Sequence, residues 1–255
     1  MIKTEKEIKI IEEGSLILSK THGLIASKIK PGIKTIDLDK IAYEFIKDSK
    51  AEPSFKGYKG FPSTICASVN NEIVHGLPSN YEIKEGDIVS VDCGVYYKKF
   101  HSDMAFTYPV GNIENKIINL LKITKESLYL GIKAIKKNGH IGDIGYKIQE
   151  YVENNNYSIV RELVGHGIGR KLHELPEIPN YGKRGNGLKI KEGMVFAIEP
   201  MVNLGTNKIK IQKNNWAIKT LDKKPSAHFE HTVAVLKDKV KILTTYDYIN
   251  KFFKI

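Results

Sequence analysis

Cysteine, arginine and long apolar runs are scarce in this sequence of 255 residues. Its two cysteines, Cys66 and Cys93, are too few for the disulfide framework of a secreted protein, so we expect a reducing compartment. The first 13 residues lack the apolar core of a signal peptide, and no apolar run approaches the roughly 18 residues of a spanning helix. We therefore expect a cytoplasmic protein that does not enter a membrane.

Basic residues outnumber acidic ones, 40 to 29, which gives a formal net charge of +11. Such a charge can attract RNA, DNA or anionic surfaces. The lysines are spread over the whole chain, however, and the densest group, around 208–224, is not a continuous basic tail. We predict no specific nucleic-acid ligand and leave open a transient contact with an anionic partner.

An internal repeat divides the chain. The letters I-K-E-G occur at 83–86 and again at 190–193, an offset of 107 residues, and a carboxylate stands six residues after each glycine, Asp92 and Glu199. The segments between are both β-rich. The same offset separates three pairs in the preceding segments: Gly32 and Gly139, Lys40 and Lys147, Ile41 and Ile148. Matches at one shared offset favour two structurally related halves.

Hydrophobic periodicity predicts the same mixture of helices and strands in each half. Helices are expected at 4–30, 35–49 (with Thr35 as a cap), 115–137 and 143–153, and strands at 87–92, 103–108, 158–164, 194–199 and 229–236. No low-complexity linker interrupts the chain. We predict one α+β catalytic domain over 1–255, with pseudo-repeat halves at about 10–112 and 116–240.

Four carboxylates, Asp92, Asp103, Glu199 and Glu230, lie in or beside strands that should be largely buried. A backbone N–H or an arginine could satisfy any one of them, but a buried ionised carboxylate without a partner is costly. The chain has only three arginines for four carboxylates. Divalent cations are the natural partners of such a cluster.

His166, in G-H-G-I-G at 165–169, adds a nitrogen ligand of the kind transition metals use. A phosphate-binding loop is the alternative, but the spacing is not G-x-G-x-x-G and no Lys-Ser/Thr pair follows. One histidine with four carboxylates predicts a two-metal site. Such a site lowers the pKa of a shared water, polarises a carbonyl and hydrolyses peptide bonds without a Ser or Cys nucleophile.

The remaining candidates are weaker on residue type alone. His75 and His173 stand beside glycine or proline turns and could be satisfied loop histidines. His101 and His231 neighbour two proposed ligands, and strand alternation should turn them to the opposite face. Cys66 lacks the surroundings of a cysteine protease and is predicted to be a small apolar wall residue.

Six motifs nevertheless resemble, in order and spacing, those of the type I methionine aminopeptidases in their short bacterial form. They are N-E-I-V-H-G-L-P, V-D-C-G, H-S-D-M-A, G-H-G-I-G-R-K-L-H-E-L-P, A-I-E-P-M and F-E-H-T-V-A-V. The resemblance runs from about residue 5 to residue 248. It implies the pita-bread fold, in which two pseudo-symmetric α+β halves contain antiparallel sheet covered by helices, and a monomer.

The resemblance also implies a set of metal ligands: Asp92, Asp103, His166, Glu199 and Glu230. Asp103 and Glu230 would bridge two divalent ions, which could be cobalt, manganese, iron or zinc. A metal-bridging hydroxide would attack the scissile carbonyl, and Glu199 would take the proton from the bridging water.

Further site residues follow from the same resemblance. His75 would contact the substrate near the scissile amide, and His173 its carbonyl. The pocket for the methionine side chain would be lined by Tyr58, Phe61, Cys66 and Trp216. Asn70 and Ser226 would help hold a sodium or potassium ion. Phe55, Phe61 and Leu172 stand where the bacterial members commonly have other residues, but all three keep the pocket apolar.

The implied substrate is the N-terminus of a nascent polypeptide that begins with methionine and a small second residue. Transient contact with the ribosome is a hypothesis that this substrate suggests. Two alternatives share the fold: an X-Pro-type peptidase, which usually carries a further N-terminal domain, and a non-catalytic pita-bread protein, which has typically lost metal ligands.

Overall fold

The computed structural model describes residues 1–254. The helices are α1 Glu5–Lys28, α2 Thr35–Asp48, α3 Asn115–Ala134 and α4 Ile141–Asn154. The strands are β1 Glu52–Pro53, β2 Ile65–Val69, β3 Glu72–Val74, β4 Ile88–Tyr97, β5 Phe100–Pro109, β6 Ser158–Ile159, β7 Gly165–Gly167, β8 Glu174–Ile178, β9 Val195–Ile198, β10 Met201–Asn203, β11 Ile209–Ile211, β12 Ile218–Thr220, β13 Ser226–His228, β14 His231–Val235 and β15 Val240–Ile242.

The first two helices begin in different ways. Before α1, the Thr4 hydroxyl accepts from the Glu7 N–H at 3.3 Å, and the Glu7 carboxylate accepts from the Thr4 N–H at 2.8 Å, which forms a capping box. The predicted cap of α2, Thr35, is instead its first helical residue, after Lys34. The Thr35 hydroxyl is used elsewhere, because it exchanges hydrogen bonds with the backbone of Ser79.

All the strand pairs are antiparallel, in four sheets. In the first half, β4 pairs with β5 along one edge and with β1 and β2 along the other. In the second half the order is β15-β14-β9-β7-β8. Two three-stranded sheets, β13-β10-β6 and β11-β12-β3, complete the structure. Antiparallel pairing lets one face of each sheet carry the core.

The repeat in the sequence reappears in the structure. Strand β4 begins at Ile88 and β9 at Val195, which again are 107 residues apart. Both I-K-E-G turns end on a glycine with a left-handed backbone, Gly86 at φ 88° and Gly193 at φ 82°. The prediction of two pseudo-symmetric α+β halves is confirmed.

Three predicted strands, 87–92, 103–108 and 158–164, have different lengths in the structure. Strands β4 and β5 pair continuously from Ile88 to Pro109, and only Lys98 and Lys99 form the turn, both with positive φ. The predicted strand 158–164 is wrong beyond residue 159. The Arg161 side chain is exposed and pairs with Glu153 on α4 at 3.3 Å, so the backbone leaves the sheet there.

The two halves meet along a seam between β5 and the β13–β14 segment. The Thr232 hydroxyl accepts from the Asp103 N–H at 2.9 Å and donates to the Asp103 carbonyl at 2.7 Å. The Glu230 N–H donates to the Ala105 carbonyl at 3.0 Å. Side-chain and backbone bonds of this kind, buried away from water, fix the distance between the two carboxylate-bearing strands.

The N-terminal segment is anchored beside β7 and β8. Lys3 and Glu174 form an ion pair at 2.6 Å in which both side chains are largely buried. Burial alone would raise the pKa of Glu174, but the Lys3 ammonium outweighs it and the pKa falls to about 2. Over residues 1–254 no helix is both long and apolar enough to cross a bilayer.

Helix α4 approaches the backbone of 179–181 so closely that only glycine fits at position 145. A Cβ there would lie 2.3 Å from the Tyr181 carbonyl oxygen and 2.4 Å from that of Pro179. We predict that Gly145→Ala lowers the free energy of unfolding by about 1–3 kcal/mol in urea titrations, although alanine favours helices. The control is Gly14→Ala in α1, where the nearest atom would be 3.3 Å away and a clearly smaller change is expected. Equal effects of the two substitutions would contradict this packing.

Candidate metal centre

A cavity of about 320 Å³ opens where the seam meets the loop 55–61. Its volume is at the small end of the range for ligand pockets. One part is lined by apolar side chains: Phe55, Tyr58, Phe61, Cys66, Leu172 and Trp216. The other part is lined by ionisable ones: Lys59, His75, Asp92, Asp103, His166, His173, Glu199 and Glu230. The fold thus brings together every predicted site residue except Asn70 and Ser226.

Strand register explains how the four carboxylates converge. In β4 and β5, Asp92 pairs with Ala105 and Gly94 with Asp103, so the two aspartates lie diagonally on one face of the ladder. In the second half, the β9–β14 ladder ends at the Ile198–His231 pair, and Glu199 and Glu230 follow directly. The seam then places the two glutamates against the two aspartates.

Burial separates these carboxylates from water. Asp103 and Glu230 are 4% and 2% exposed, while Asp92 and Glu199 are half-buried and face the cavity. Asp92 Oδ1 and Glu230 Oε1 have no hydrogen-bond partner among residues 1–254. Buried polar oxygens normally have a partner. Orphaned carboxylate oxygens that face a shared cavity fit a bound cation.

The acidities follow from burial and mutual repulsion. Burial raises the pKa of Asp92 to about 7, with the Glu199 carboxylate adding to the rise and His228 opposing it. Burial likewise raises the pKa of Glu199 to about 7. For Asp103 and Glu230, burial and then the neighbouring carboxylates raise the pKa well above its usual value. Without counter-cations, the cluster resists carrying its full negative charge.

His166 presents a free lone pair to the carboxylates. Its Nδ1 lies 3.0 Å from the Gly167 carbonyl oxygen, and because a carbonyl only accepts, Nδ1 carries the proton. In the neutral ring Nε2 then carries the lone pair, and it lies 3.5 Å from Glu199 Oε1 and 4.0 Å from Asp103 Oδ2. A backbone acceptor on the second nitrogen is the usual arrangement of a metal-binding histidine.

Distances among the donor atoms fit a divalent ion. One ligand atom each from Asp103, His166 and Glu230 lies within 4.8 Å of the other two, and all three residues are buried. Asp92 and Glu199 line the same cavity. Oxygen donors with one imidazole suit manganese, iron, cobalt or zinc. The residues therefore fit the predicted metal centre.

The other two predicted histidines line the same cavity as the cluster. His75 has a left-handed backbone, φ 57°, and burial lowers its pKa to about 4, so the ring is neutral at pH 7. His173 lies at the mouth of the cavity, with Nδ1 2.8 Å from the Tyr58 hydroxyl. Partial burial, then His166 and Lys59, lower the pKa of His173. Both rings are suited to donate a hydrogen bond rather than carry charge.

The apolar part of the cavity is walled by aromatic rings. Phe61 packs edge to face against Trp216, with ring centroids 5.1 Å apart, and against Phe55 at 6.5 Å. Gly94 makes room for Phe55, because a Cβ there would lie 2.8 Å from Phe55 Cε1. Burial raises the pKa of the Cys66 thiol well above its usual value, so Cys66 is a neutral wall residue.

Asn70 and Ser226, the predicted monovalent-cation ligands, lie outside the cavity. The Ser226 N–H donates to the Asn70 carbonyl at 2.9 Å, and the Asn70 side chain bonds Asp87 and the Ile88 N–H. These contacts join β13 to the start of β4. The two residues are neighbours, and their role in binding an ion stays a prediction.

The sequence analysis did not identify His228. It is 1% exposed, both ring nitrogens lack a hydrogen-bond partner in residues 1–254, and Nε2 lies 3.7 Å from Glu199 Oε2. Strand alternation could have found it, because His228 and Glu230 are two residues apart and share a face. His231, in contrast, turns away to bond Thr244 and Tyr129, as predicted.

Two more residues support the site from outside it. Asn180 is buried, and its amide donates to the Glu199 carbonyl at 3.0 Å. His101 bonds the Ser54 hydroxyl at 2.9 Å and does not line the cavity. No pattern in the sequence marks Asn180, because its partner is a backbone atom 19 residues away.

The family profile and the relatives that match this chain point to the same family. The profile of metallopeptidase family M24 matches residues 9–237. The chain is 50% identical over 244 residues to the methionine aminopeptidase of Clostridium perfringens, covering 96% of this chain and 98% of that one. It is 49% identical over 242 residues to methionine aminopeptidase 1 of Bacillus subtilis, covering 95% and 98%.

Solved structures show the same fold. The crystal structure of methionine aminopeptidase from Rickettsia prowazekii superposes with a TM-score of 0.95 at 39% identity and covers 96% of this chain and 99% of that one. The prolidase from Pyrococcus furiosus superposes with a TM-score of 0.77 at 25% identity, and the match covers 96% of this chain but 65% of the prolidase.

The raised pKa values of the cluster make the metal-free protein sensitive to pH. An unfolded aspartate has a pKa near 4, whereas folded Asp92 has one of about 7, so Asp92 destabilises the metal-free fold progressively as the pH rises from about 4 to 7. Asparagine cannot ionise. We predict that metal-free Asp92→Asn becomes more stable than the parent as the pH rises. The difference in unfolding free energy should grow by on the order of 2 kcal/mol between about pH 5 and pH 8.

Urea unfolding with a chelator present measures this difference. The parent and the variant share all other titrating groups, including the buried histidines that act in the opposite direction. Asp238→Asn, at an exposed position, should show no pH-dependent difference. A flat or reversed difference for Asp92→Asn would contradict the account of the cluster.

Proposed function

Because the chain belongs to metallopeptidase family M24, we propose that it is a metal-dependent aminopeptidase that removes methionine from the N-termini of nascent proteins and peptides. The observation that carries this proposal is the position of the carboxylate cluster at the inner end of a small aromatic-walled cavity. The greater identity and coverage of the methionine aminopeptidases, compared with a prolidase, favours methionine over X-Pro substrates.

Five residues would hold two divalent ions: Asp92, Asp103, His166, Glu199 and Glu230. When bound, such ions lower the pKa of a water and polarise a carbonyl. The resemblance to the type I methionine aminopeptidases implies that Asp103 and Glu230, the two most buried of these carboxylates, would be shared by both ions. Manganese, cobalt, iron and zinc all suit this donor set, and availability in the cell selects among them.

Glu199 is suited to move the proton. It is half-buried and faces the cavity, so one of its oxygens can reach a water there. The Asn180 amide holds its backbone carbonyl in place. We assign Glu199 as the group that takes a proton from the attacking water and passes it to the leaving amine.

His75 and His173 would stabilise the reacting amide. Both are neutral at pH 7, so each offers one N–H donor. When the Tyr58 hydroxyl donates to Nδ1 of His173, Nε2–H is left to donate to the substrate carbonyl oxygen as negative charge develops on it. His75, which lines the same cavity, would contact the scissile amide.

The apolar part of the cavity explains a preference for methionine. An unbranched thioether adapts to an aromatic slot and gains sulfur–aromatic contacts with Phe61 and Trp216. Tyr58 and Cys66 complete the wall. The narrow cavity favours a small second residue, because the substrate backbone must pass between His173 and the metal ligands.

Finer features of the proposal rest on the sequence. We propose one catalytic domain that works as a monomer in the cytoplasm, where its two free, buried cysteines stay reduced. Asn70 and Ser226 would help hold a sodium or potassium ion. The net charge of +11 would favour a transient contact with the ribosome.

The direct test is methionine release from a Met-Gly-Met peptide. We expect no release by the metal-free protein, release after manganese or cobalt is added back, and a loss of at least about a hundredfold in Glu199→Ala, because a general base contributes roughly 10²–10⁴-fold. Release is measured as free methionine by chromatography.

Two comparisons sharpen the test. Met-Ala and Met-Ser peptides should be cut, and Met-Lys peptides should resist. Folded protein that releases no methionine with any divalent metal would overturn the proposal in favour of a binding protein. Efficient cleavage of Met-Lys would overturn only the assignment of a small second residue.

A further inference from the structure

We propose that Lys59 makes this enzyme prefer substrates with an acidic side chain at the third residue. The proposal deepens the proposed function, on which it rests. Among residues 1–254, Lys59 is the only lysine or arginine that lines the substrate cavity. The other acidic and basic side chains there are the four carboxylates of the cluster and three histidines.

Lys59 has no carboxylate partner of its own. It is exposed, and in the described part of the chain no Asp or Glu oxygen lies within 4.0 Å of its ammonium. The Lys59 ammonium lies over the Tyr58 ring, and Nζ is 5.5 Å from the ring centroid. Many other surface lysines here are paired, for example Lys47 with Glu52 and Lys98 with Glu13. An unpaired cation at the mouth of a cavity is available to a ligand.

The backbone holds Lys59 at this mouth. Its own backbone is left-handed, φ 49° and ψ 25°, in a three-residue turn between Gly57 and Phe61. The Gly57 N–H donates to the Phe61 carbonyl at 2.7 Å, and the Phe61 N–H donates to the Tyr58 carbonyl at 2.9 Å. A non-glycine residue in this region is uncommon and is maintained by its surroundings. The turn therefore fixes where the Lys59 side chain starts.

When metal ions are bound, the carboxylates of the cluster would not attract the Lys59 ammonium strongly. Two divalent cations would cancel most of the negative charge of the four carboxylates and a bridging hydroxide. The Lys59 ammonium is the one lysine or arginine charge that lines the cavity in the described part of the chain. A net positive potential at the mouth attracts anionic groups and repels cationic ones.

The direction of the substrate chain selects the third residue. The methionine side chain occupies the apolar part, and the scissile amide lies near His173, whose Nδ1 contacts Tyr58. Lys59 is exposed and lines the same cavity, so a chain that leaves past His173 and Tyr58 would meet its ammonium. The second residue is small, so the first side chain able to carry a charge belongs to the third, roughly 7 Å beyond the scissile bond in an extended chain.

The experiment compares kcat/KM for Met-Ala-Asp, Met-Ala-Ala and Met-Ala-Lys peptides that are otherwise identical and blocked at the C-terminus. For the parent enzyme we expect the Asp peptide to exceed the Lys peptide by about tenfold at low salt, with the difference mainly in KM and shrinking at higher ionic strength. Lys59→Gln should remove most of this ratio, and Lys59→Glu should reverse it.

Lys56→Glu is the matched control. Lys56 is exposed on the same loop and changes the net charge equally, but it lies over the Tyr43 ring and does not line the cavity. It should keep the parent ratio. The proposal is overturned if Lys59→Glu keeps the parent ratio, if Lys56→Glu reverses it equally, or if the parent shows no preference. A failure of the proposed function would look different from a failure of the Lys59 proposal. In that case neither the parent nor any variant would release methionine from Met-Ala-Ala.

Discussion

The repulsion among four buried carboxylates is the constraint on which the site depends. Asp103 and Glu230 face each other across the seam because the Thr232 hydroxyl both accepts from and donates to the backbone of Asp103. Burial raises the pKa of every member of the cluster. A fold that held these groups together without counter-cations would lose stability at neutral pH, so the architecture is suited to a metal-loaded state.

The rest of the cavity is consistent with that centre. The Nδ1–H of His166 donates a hydrogen bond to the Gly167 carbonyl, which leaves Nε2 for a metal. His75 is buried enough to stay neutral and can donate a hydrogen bond without adding positive charge beside the metals. The aromatic wall around Trp216 would exclude water from the methionine side chain of the proposed substrate. Charge is thus confined to the inner end of the cavity and to the Lys59 ammonium at its mouth.

The two-half architecture could be predicted from the sequence because the same motif, a glycine turn followed by a β-rich segment and a carboxylate, occurs twice. The offset between Asp92 and Glu199 is the offset between β4 and β9, and both were predicted from a glycine turn followed by apolar residues. Local pattern also placed His231 on the opposite face from Glu230. Contacts that depend on tertiary structure gave no such signal. Asn180 acts on a backbone carbonyl, and Thr35 bonds the distant Ser79 instead of capping its helix. His228 was accessible to the alternation rule but was not identified.

The measurement that tests the central claim most directly is anomalous diffraction from crystals grown with manganese. The account predicts two anomalous peaks per chain inside the cavity, each touching oxygens of Asp103 and Glu230, with His166 Nε2 beside one of them. Peaks confined to the protein surface, or a cavity with no peak at saturating manganese, would contradict the claim that this carboxylate cluster exists to hold two metal ions.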